Sequence, residues 1–564
     1  MSPPLHAAVI GRRTTASRWR KPNTALCAAM LVLALAVHGL AVAEPEPAPL
    51  PSWAELEAAR AVIGEVRVVT ENVFDTANPE EDYRIFKWAN ALHITTRPSV
   101  IERALLFKRG DPVSVRVLQE TERNLRSNSY LYDVHFRPLA YHDGVVDIEV
   151  VTRDTWSLDF GIQASRSGGA NSSSLQFTER NLLGSGSTVS FGTTRDVDRT
   201  SNTFLYANQR AFGTLASVLL RHASNSDGRN DAVSLVRPFY SLEARWSAGA
   251  AASRFDRTDS IYNAGKVVSQ YRHRQHAGEV FGGWSAGLVD GWVHRTSLGI
   301  SASDDAYAPG PGLVAPPRLP ADQRLVGPFV RHEIIEDRFD RQLNRNLIGR
   351  PEFFALGLAS TVQFGWASTA LGSSHDALLY KASIGRGFEL GLQQMLTAQA
   401  NLSGQLIGGR VQRQQLGAAA RYYRPQSPRW LFYAAAAGDV LTRPDIGDAL
   451  MLGGDNGLRG YPLRYQGGVR RALFIAEERF YTDVYVWRLF RIGGAAFVDT
   501  GRAWGGDNVN TANPGWLSDV GFGLRIAATR TAIGSVLHID VAFPLNAKGD
   551  ISKAQLLIKT KASF

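Results

Sequence analysis

From Trp156 to the C-terminus the chain repeats segments of about ten residues in which polar and apolar side chains alternate. Leu396, Ala398, Ala400 and Leu402 alternate with Thr397, Gln399, Asn401 and Ser403. Val520, Phe522, Leu524 and Ile526 alternate with Asp519, Gly521, Gly523 and Arg525, and Leu537, Ile539, Val541 and Phe543 with His538, Asp540 and Ala542. Successive side chains of a strand point to opposite faces, so each segment offers one face to lipid and one to water. A soluble sandwich alternates too, but such domains rarely run this far without subdividing. A bilayer leaves no backbone donor or acceptor unpaired. Strands that cross it therefore close into a ring without a free edge, in an even number for a single bacterial chain. The expectation is an antiparallel transmembrane β-barrel of 16 or more strands over residues 156–564.

The other end of the chain agrees with export. Arg12, Arg13, Arg18, Arg20 and Lys21 precede an apolar run from Ala25 to Val42, and Ala41-Val42-Ala43 stands before an acidic, Pro-rich stretch. Residues 1–43 thus read as a secretory signal cleaved after Ala43, with an uncleaved anchor as the competing reading. Cys27, the only cysteine, leaves with the signal, which excludes disulfides and thiolate metal or redox centres from the mature chain. The formal charge of +10 shrinks as well, because five of the 62 basic residues lie in the signal, leaving 57 against 52 acidic ones. That balance is too dilute to point to nucleic acid. No stretch after residue 43 approaches 18 apolar residues, so a membrane-spanning mature chain would cross with strands.

Between signal and barrel, residues 44–62 read as an extended linker and a short helix opened by the capping box Ser52-x-x-Glu55. Residues 63–155 read as a small α+β domain. A strand spans Ile63 to Glu71, and residues 72–98 form a polar insertion holding Pro79 and Pro98. A helix starts at Ser99, Arg109-Gly110-Asp111-Pro112 breaks the chain, and a second helix starts near Ser114. Strands Tyr132–Leu139 and Val145–Val151 follow, joined by His142-Asp143-Gly144. Val115, Leu118 and Leu125 give the second helix an apolar stripe that can cover a three-stranded sheet.

Five features carry a further reading. They are Asn181-Leu182-Leu183-Gly184-Ser185-Gly186, the loop Gly454-Asp455-Asn456-Gly457-Leu458-Arg459-Gly460-Tyr461, Glu477-x-Arg479, Phe497-x-Asp499-x-Gly501, and a terminal Phe564. Asp499 shares a strand face with Phe497 and Gly501, and an inward carboxylate in a partly wet lumen calls for a cation. A loop folded back into the lumen can deliver Arg459 to it, and a desolvated arginine–carboxylate pair is costly to break from either side. The alternative is a surface turn at Leu458–Tyr461 with a solvated Asp499. The β-α-α-β-β order of residues 63–155, with Gly110 between the helices, resembles a POTRA domain, and the five features together resemble the barrel of the BamA/TamA superfamily, which includes the two-partner secretion translocators. The resemblance implies that Arg459 and Asp499 lock the loop inside the lumen. It makes Gly457, Leu458, Gly460 and Tyr461 the loop motif, and Glu477, Arg479, Phe497 and Gly501 the barrel motif. Phe564 becomes the C-terminal insertion signal, and the first and last strands, near Trp156–Arg166 and Gln555–Phe564, form a weak seam.

Two departures accompany the resemblance: a single POTRA-like domain with a long insertion, and about fifteen strand-like segments before the Arg459 loop where the family has eleven. The implied function is an outer-membrane assembly or translocation factor of a Gram-negative bacterium, with residues 44–155 in the periplasm. Its expected partners are outer-membrane lipids, unfolded or exported polypeptides received by the POTRA-like domain, and periplasmic chaperones or accessory subunits. A two-partner translocator and a passive or structural barrel are the alternatives. No enzyme, cofactor or metal is expected. Gly283-Trp284-Ser285-Ala286-Gly287 has the spacing of a nucleophile elbow, but Leu288-Val289-Asp290-Gly291 opens a turn where that elbow needs a helix. His273 and His276 fall on opposite faces of a strand and cannot share a metal there.

Overall fold

The computed structural model describes residues 50–561 except 311, 313, 392, 455, 507–514, 530–535 and 547–550. Residues 1–43 with Cys27, Asp455 of the loop motif, and Phe564 lie outside the described residues.

Residues 52–154 form a small α+β layer. The Ser52 hydroxyl accepts from the Glu55 N–H and the Glu55 carboxylate accepts from the Ser52 N–H, opening α1 (Trp53–Ala58). β1 (Val62–Glu71) is followed by α2 (Arg84–Leu92), the short α3 (Pro98–Glu102) and α4 (Val115–Arg126), then β2 (Leu131–His142) and β3 (Val145–Asp154). β3 is central, parallel to β1 and antiparallel to β2. Val146, Ile148 and Val150 of β3 alternate inward and meet Leu118 and Leu125 of α4 and Ile101 of α3 in one buried core.

The polar insertion expected at residues 72–98 contains a helix that this expectation does not include. The helix is α2, whose Phe86 stacks on Phe74 at 4.1 Å, and whose Asn90 side chain donates to the Phe74 carbonyl at 2.8 Å and accepts from the Phe74 N–H at 3.1 Å. A proline on each side of this nine-residue helix, with an acidic run before it, hides its periodicity. The helix expected from Ser99 is likewise only the single turn of α3.

Twenty strands, from Leu158–Ser167 to Gln555–Lys561, close into one antiparallel barrel. Fifteen precede the glycine-rich loop and five follow it. The wall therefore exceeds the sixteen strands of the resemblance and matches the larger tally, because the strand-like segments before the loop are separate strands and not fragments of longer ones. The alternation read from sequence is the alternation of this wall. Val498, Phe522, Leu524 and Phe543 are exposed on its outside, while Asp499, Asp519, Arg525 and Asp540 are buried inside.

The small layer sits at one rim, here the near rim, where Leu158 begins the first barrel strand. Two excursions of the wall turn inward. From the near rim, strands Phe339–Leu343 and Pro351–Ala355 form a separate hairpin. From the far rim, residues 443–469 form the glycine-rich loop, braced by the short pair Leu450–Leu452 and Gln466–Gly468.

Candidate functional site

Three consecutive strands after the glycine-rich loop, Arg470–Val486, Phe490–Trp504 and Leu517–Ala528, and their neighbour Val536–Pro544, point charged residues into the lumen at strand spacing. Glu477 and Arg479 come from the first, Asp499 from the second, Asp519 and Arg525 from the third and Asp540 from the fourth; all are buried. The loop brings Arg459 into this set. Its Nε donates to Asp499 Oδ2 and its Nη2 to Asp499 Oδ1, both at 2.7 Å, a two-pronged pairing. Its Nη1 donates to Glu477 Oε1 at 2.9 Å, and its guanidinium lies 3.3 Å above the Phe497 ring. Arg479 Nε donates to the other Glu477 oxygen at 3.0 Å while stacking over Tyr433 at 3.8 Å. Arg525 pairs with Asp540, which is 3.6 Å from Arg459. Four carboxylates thus meet three guanidinium groups away from bulk water. Asp519 is fully buried directly opposite Asp499 on the adjacent strand.

The loop motif explains how Arg459 arrives. Gly457 adopts φ +123°, and Gly460 presses so closely on the wall that a Cβ there would lie 2.6 Å from Asp519 Cβ. Leu458 and Tyr461 are fully buried, and the Tyr461 hydroxyl donates to the Ser518 carbonyl at 2.9 Å. Gly501 faces inward beside Leu452 of the loop, where a side chain would crowd it. The structure therefore brings Arg459, Asp499, Glu477, Arg479, Phe497, Gly457, Leu458, Gly460, Tyr461 and Gly501 together in one region of the lumen.

The hairpin from the near rim reaches the same cluster, and no sequence signal singles it out. The Arg345 carbonyl accepts from Arg479 Nη1 at 2.8 Å, the Asn344 carbonyl from the Tyr481 hydroxyl at 2.9 Å, and Asn346 Oδ1 from the Tyr423 hydroxyl at 3.0 Å. Ile348 packs with Leu356, Met395 and Val536 in a buried cluster inside the barrel. The segment also meets the small layer, at its base, where Asp337 lies 3.5 Å from Arg123, and at its turn, where the Arg350 guanidinium donates to the Leu131 carbonyl at 3.5 Å. Sequence reasoning also misses Arg525, Asp540 and Asp519 as site residues, although their strand parity with Asp499 is a usable signal.

Among the described residues the first and last strands meet at one paired position, Ile558 opposite Arg166, whereas the first strand is paired with the second from Leu158 to Ser167. Other elements span this junction at both rims. At the far rim the Leu463 N–H donates to the Gly168 carbonyl at 3.0 Å, and Arg464 grips both oxygens of Asp198 at 2.8 and 2.7 Å. The loop that holds Asp499 on one side of the junction thereby holds the first strands on the other. At the near rim Glu80 pairs with Arg488 at 2.5 Å and Val73, Phe74 and Phe86 pack with Leu489 and Trp156. At the opposite end of the insertion, the Arg97 N–H donates to Gly184 O at 3.0 Å and Asn181 Nδ2 to Thr96 Oγ1 at 2.8 Å. Asn181–Gly186 is the near-rim turn between the second and third barrel strands. Asp154 accepts from the N–H and hydroxyl of Thr96 at 2.7 and 2.8 Å, and burial pushes its carboxyl up to about 7.

The remaining motifs take other roles. Ser285 lies within the strand Lys266–Val289 and accepts from the Gly287 N–H at 3.0 Å, so the Gly-x-Ser-x-Gly spacing is strand and turn chemistry. His273 bridges Asp259 at 2.9 Å and Asp305 at 3.0 Å, and no metal-binding group of side chains occurs among the described residues.

No protein-family model and no curated protein sequence matches the chain. Among solved structures it is similar to BamA from Haemophilus ducreyi lacking POTRA domains 1–3, at 13% identity and TM-score 0.38, over 88% of this chain and 84% of that one. It is similar to CdiB from Acinetobacter baumannii at 12% identity and TM-score 0.42, over 89% and 73%, and to CdiB from Escherichia coli at 11% and 0.48, over 90% and 77%.

Proposed function

We propose that this chain is an outer-membrane assembly or translocation barrel of the BamA/TamA type, acting on other polypeptides at the outer membrane of a Gram-negative bacterium. The near rim is then periplasmic, and residues 52–154 serve as a POTRA-like domain that receives an unfolded client, by pairing a strand to an exposed sheet edge. The observation that carries the reading is the junction of first and last strands, held among the described residues at one paired position and spanned by an ion-locked loop. A strand pair so short costs little to open, and an open seam presents unpaired backbone where a client strand needs it. The lumen argues in the same direction. The far-rim loop and the near-rim hairpin both occupy it and meet through Glu477 and Arg479, so a resting passive channel fits poorly. A two-partner translocator, in which loop and hairpin withdraw to let a chain pass, is the second reading.

The test is a charge-swap series, Arg459→Glu, Asp499→Arg and the double variant, scored by heat-modifiable barrel folding and by envelope levels of other outer-membrane proteins. The expected result is impairment by each single change and recovery in the double. Wild-type behaviour in all three would move the passive-barrel reading to the front.

A further inference from the structure

α2 carries more apolar surface than the protein covers. Phe86 and the turn of chain at Phe74 account for its inner side, where Ala89 and Asn90 also lie. Ile85, Trp88 and Leu92, at i, i+3 and i+7, form a second stripe that is 68%, 68% and 57% exposed. Tyr83 and Ile94, which flank the helix, are exposed as well. Contiguous exposure of this kind on a small layer outside the barrel wall marks a binding surface.

Three observations favour one occupant. First, the stripe belongs to an insertion held against the barrel's near rim on both sides of the seam. The insertion is pinned at one end to the turn that carries the exposed Trp487 and at the other to the turn that carries the exposed Leu183. Second, the composition is that of an interfacial helix, with aromatic residues that tolerate a wet and a dry side and basic residues beside them. Third, Arg84 and Arg97 have no carboxylate partner among the described residues and are exposed, free to meet anionic headgroups.

We infer that the exposed stripe of α2 docks on the periplasmic leaflet of the outer membrane and anchors the small domain to the bilayer beneath the seam. The inference rests on the near rim being periplasmic, as proposed above. It gives the insertion a task separate from client capture: holding the domain against the membrane, where the first and last strands meet.

The mature chain has no cysteine, so single labels are unambiguous. Trp88→Cys and, separately, Ile85→Cys would carry an environment-sensitive fluorophore in the full-length mature protein. Each would be reconstituted in phosphatidylethanolamine/phosphatidylglycerol vesicles with and without acyl-chain spin-labelled lipid. Heat-modifiable migration reports whether the barrel has inserted, independently of where α2 sits. The expected result is blue-shifted emission that falls as the share of spin-labelled lipid rises. Water-like emission from an inserted barrel overturns the proposal. Blue-shifted emission that the lipid-borne label does not quench also overturns it and assigns the stripe to a protein partner. Failure of both labelled variants to insert is resolved by the unlabelled Trp88→Ser and Ile85→Ser, read by proteolysis of residues 72–98 in vesicles and in detergent. If vesicles protect that segment in the variants as much as in wild type, the stripe is not an anchor; weaker protection by vesicles supports it.

Discussion

At the far rim the seam is crossed by a loop anchored through a buried ionic grip, whereas at the near rim it is crossed by an insertion held mainly by apolar packing and hydrogen bonds, with one exposed ion pair. Arg459 is held by Asp499 and Glu477 inside the lumen. α2 is held by Phe86 against Phe74, Leu489 and Trp156, and the segment that follows it by Thr96 and Arg97 against the 181–184 turn. The two designs respond differently to insult. A buried ion pair fails abruptly when one partner is removed, because the other is stranded, while an apolar contact loses stability in proportion to the surface withdrawn.

The sharpest way to break the symmetry is therefore at the far rim. Asp499→Asn takes from Arg459 its two-pronged partner, leaving Glu477 and the more distant Asp540, and is expected to cost about 3–5 kcal/mol of barrel stability, read as a lower urea midpoint for loss of heat-modifiable migration. Asp519→Asn is the internal contrast. Asp519 and Asp499 are carboxyl groups facing each other in a set with one acid more than it has guanidinium groups, so replacing Asp519 by the neutral amide is expected to leave the midpoint unchanged or raise it. If both variants fall equally, the excess of negative charge is not what the loop is balancing.

At the near rim Phe86→Ala removes the contact that seats α2, at an expected cost of about 3 kcal/mol for a buried aromatic. The loss should appear in the small layer, as faster proteolysis within residues 72–98, and leave the barrel's urea midpoint in place. A matching shift of the barrel midpoint would mean that the insertion is part of the barrel's own closure.

The same contrast decides what the sequence can reveal. The ionic loop advertises itself, because a guanidinium in a glycine-rich loop and a carboxylate on an inward strand face are both visible as residues in order, and strand parity alone puts Asp499 in the lumen. The alternation of Leu537–Phe543 likewise declares the wall. The near-rim elements are silent for physical reasons. The hairpin's grip on Arg479 and Tyr481 is through the carbonyls of Arg345 and Asn344, which every residue possesses. α2 is short, and only its partners at 74, 156 and 489 distinguish a helix there from a polar excursion. Strand number is legible as a count of segments, but the pairing that closes the ring, Ile558 with Arg166, is a long-range event with no local signal.

Asp154 sharpens the near-rim side by pH. Its carboxyl titrates at about 7 in the folded protein against about 4 when unfolded, through burial that outweighs the Thr96 hydrogen bonds. Between those values the folded state binds more protons, so this group's contribution to docking is complete below about pH 4 and is lost as pH rises to about 7. His93 is 3.7 Å from Asp154, and burial holds its pKa below the usual histidine range, which opposes the slope because the folded state resists protonation there. Asp154→Asn removes only the first effect. Proteolytic protection of residues 72–98 should then fall on acidification in the variant, and the protection of wild type relative to the variant should decline steadily from about pH 5 to about pH 7. A ratio that stays flat would show that Asp154 is ionised throughout.

The smallest effects are expected from the two solvent-facing pairs that cross the seam, and they test whether exposure or position sets their worth. Arg464→Ala removes a two-pronged pairing to Asp198 together with the stack on Tyr262, while Glu80→Gln removes a single-point pairing to Arg488. Exposed pairs of either kind are worth about 0.2–1 kcal/mol, less at high salt, so neither substitution should shift the barrel's urea midpoint much on its own. Arg464→Ala should nevertheless be the larger of the two, because its guanidinium is the less exposed and its planar fork matches the carboxylate. Both shifts should vanish together in high salt if they are ionic alone. A residual shift for Arg464→Ala would assign the remainder to its stacking on Tyr262, and would make the far-rim crossing apolar as well as ionic.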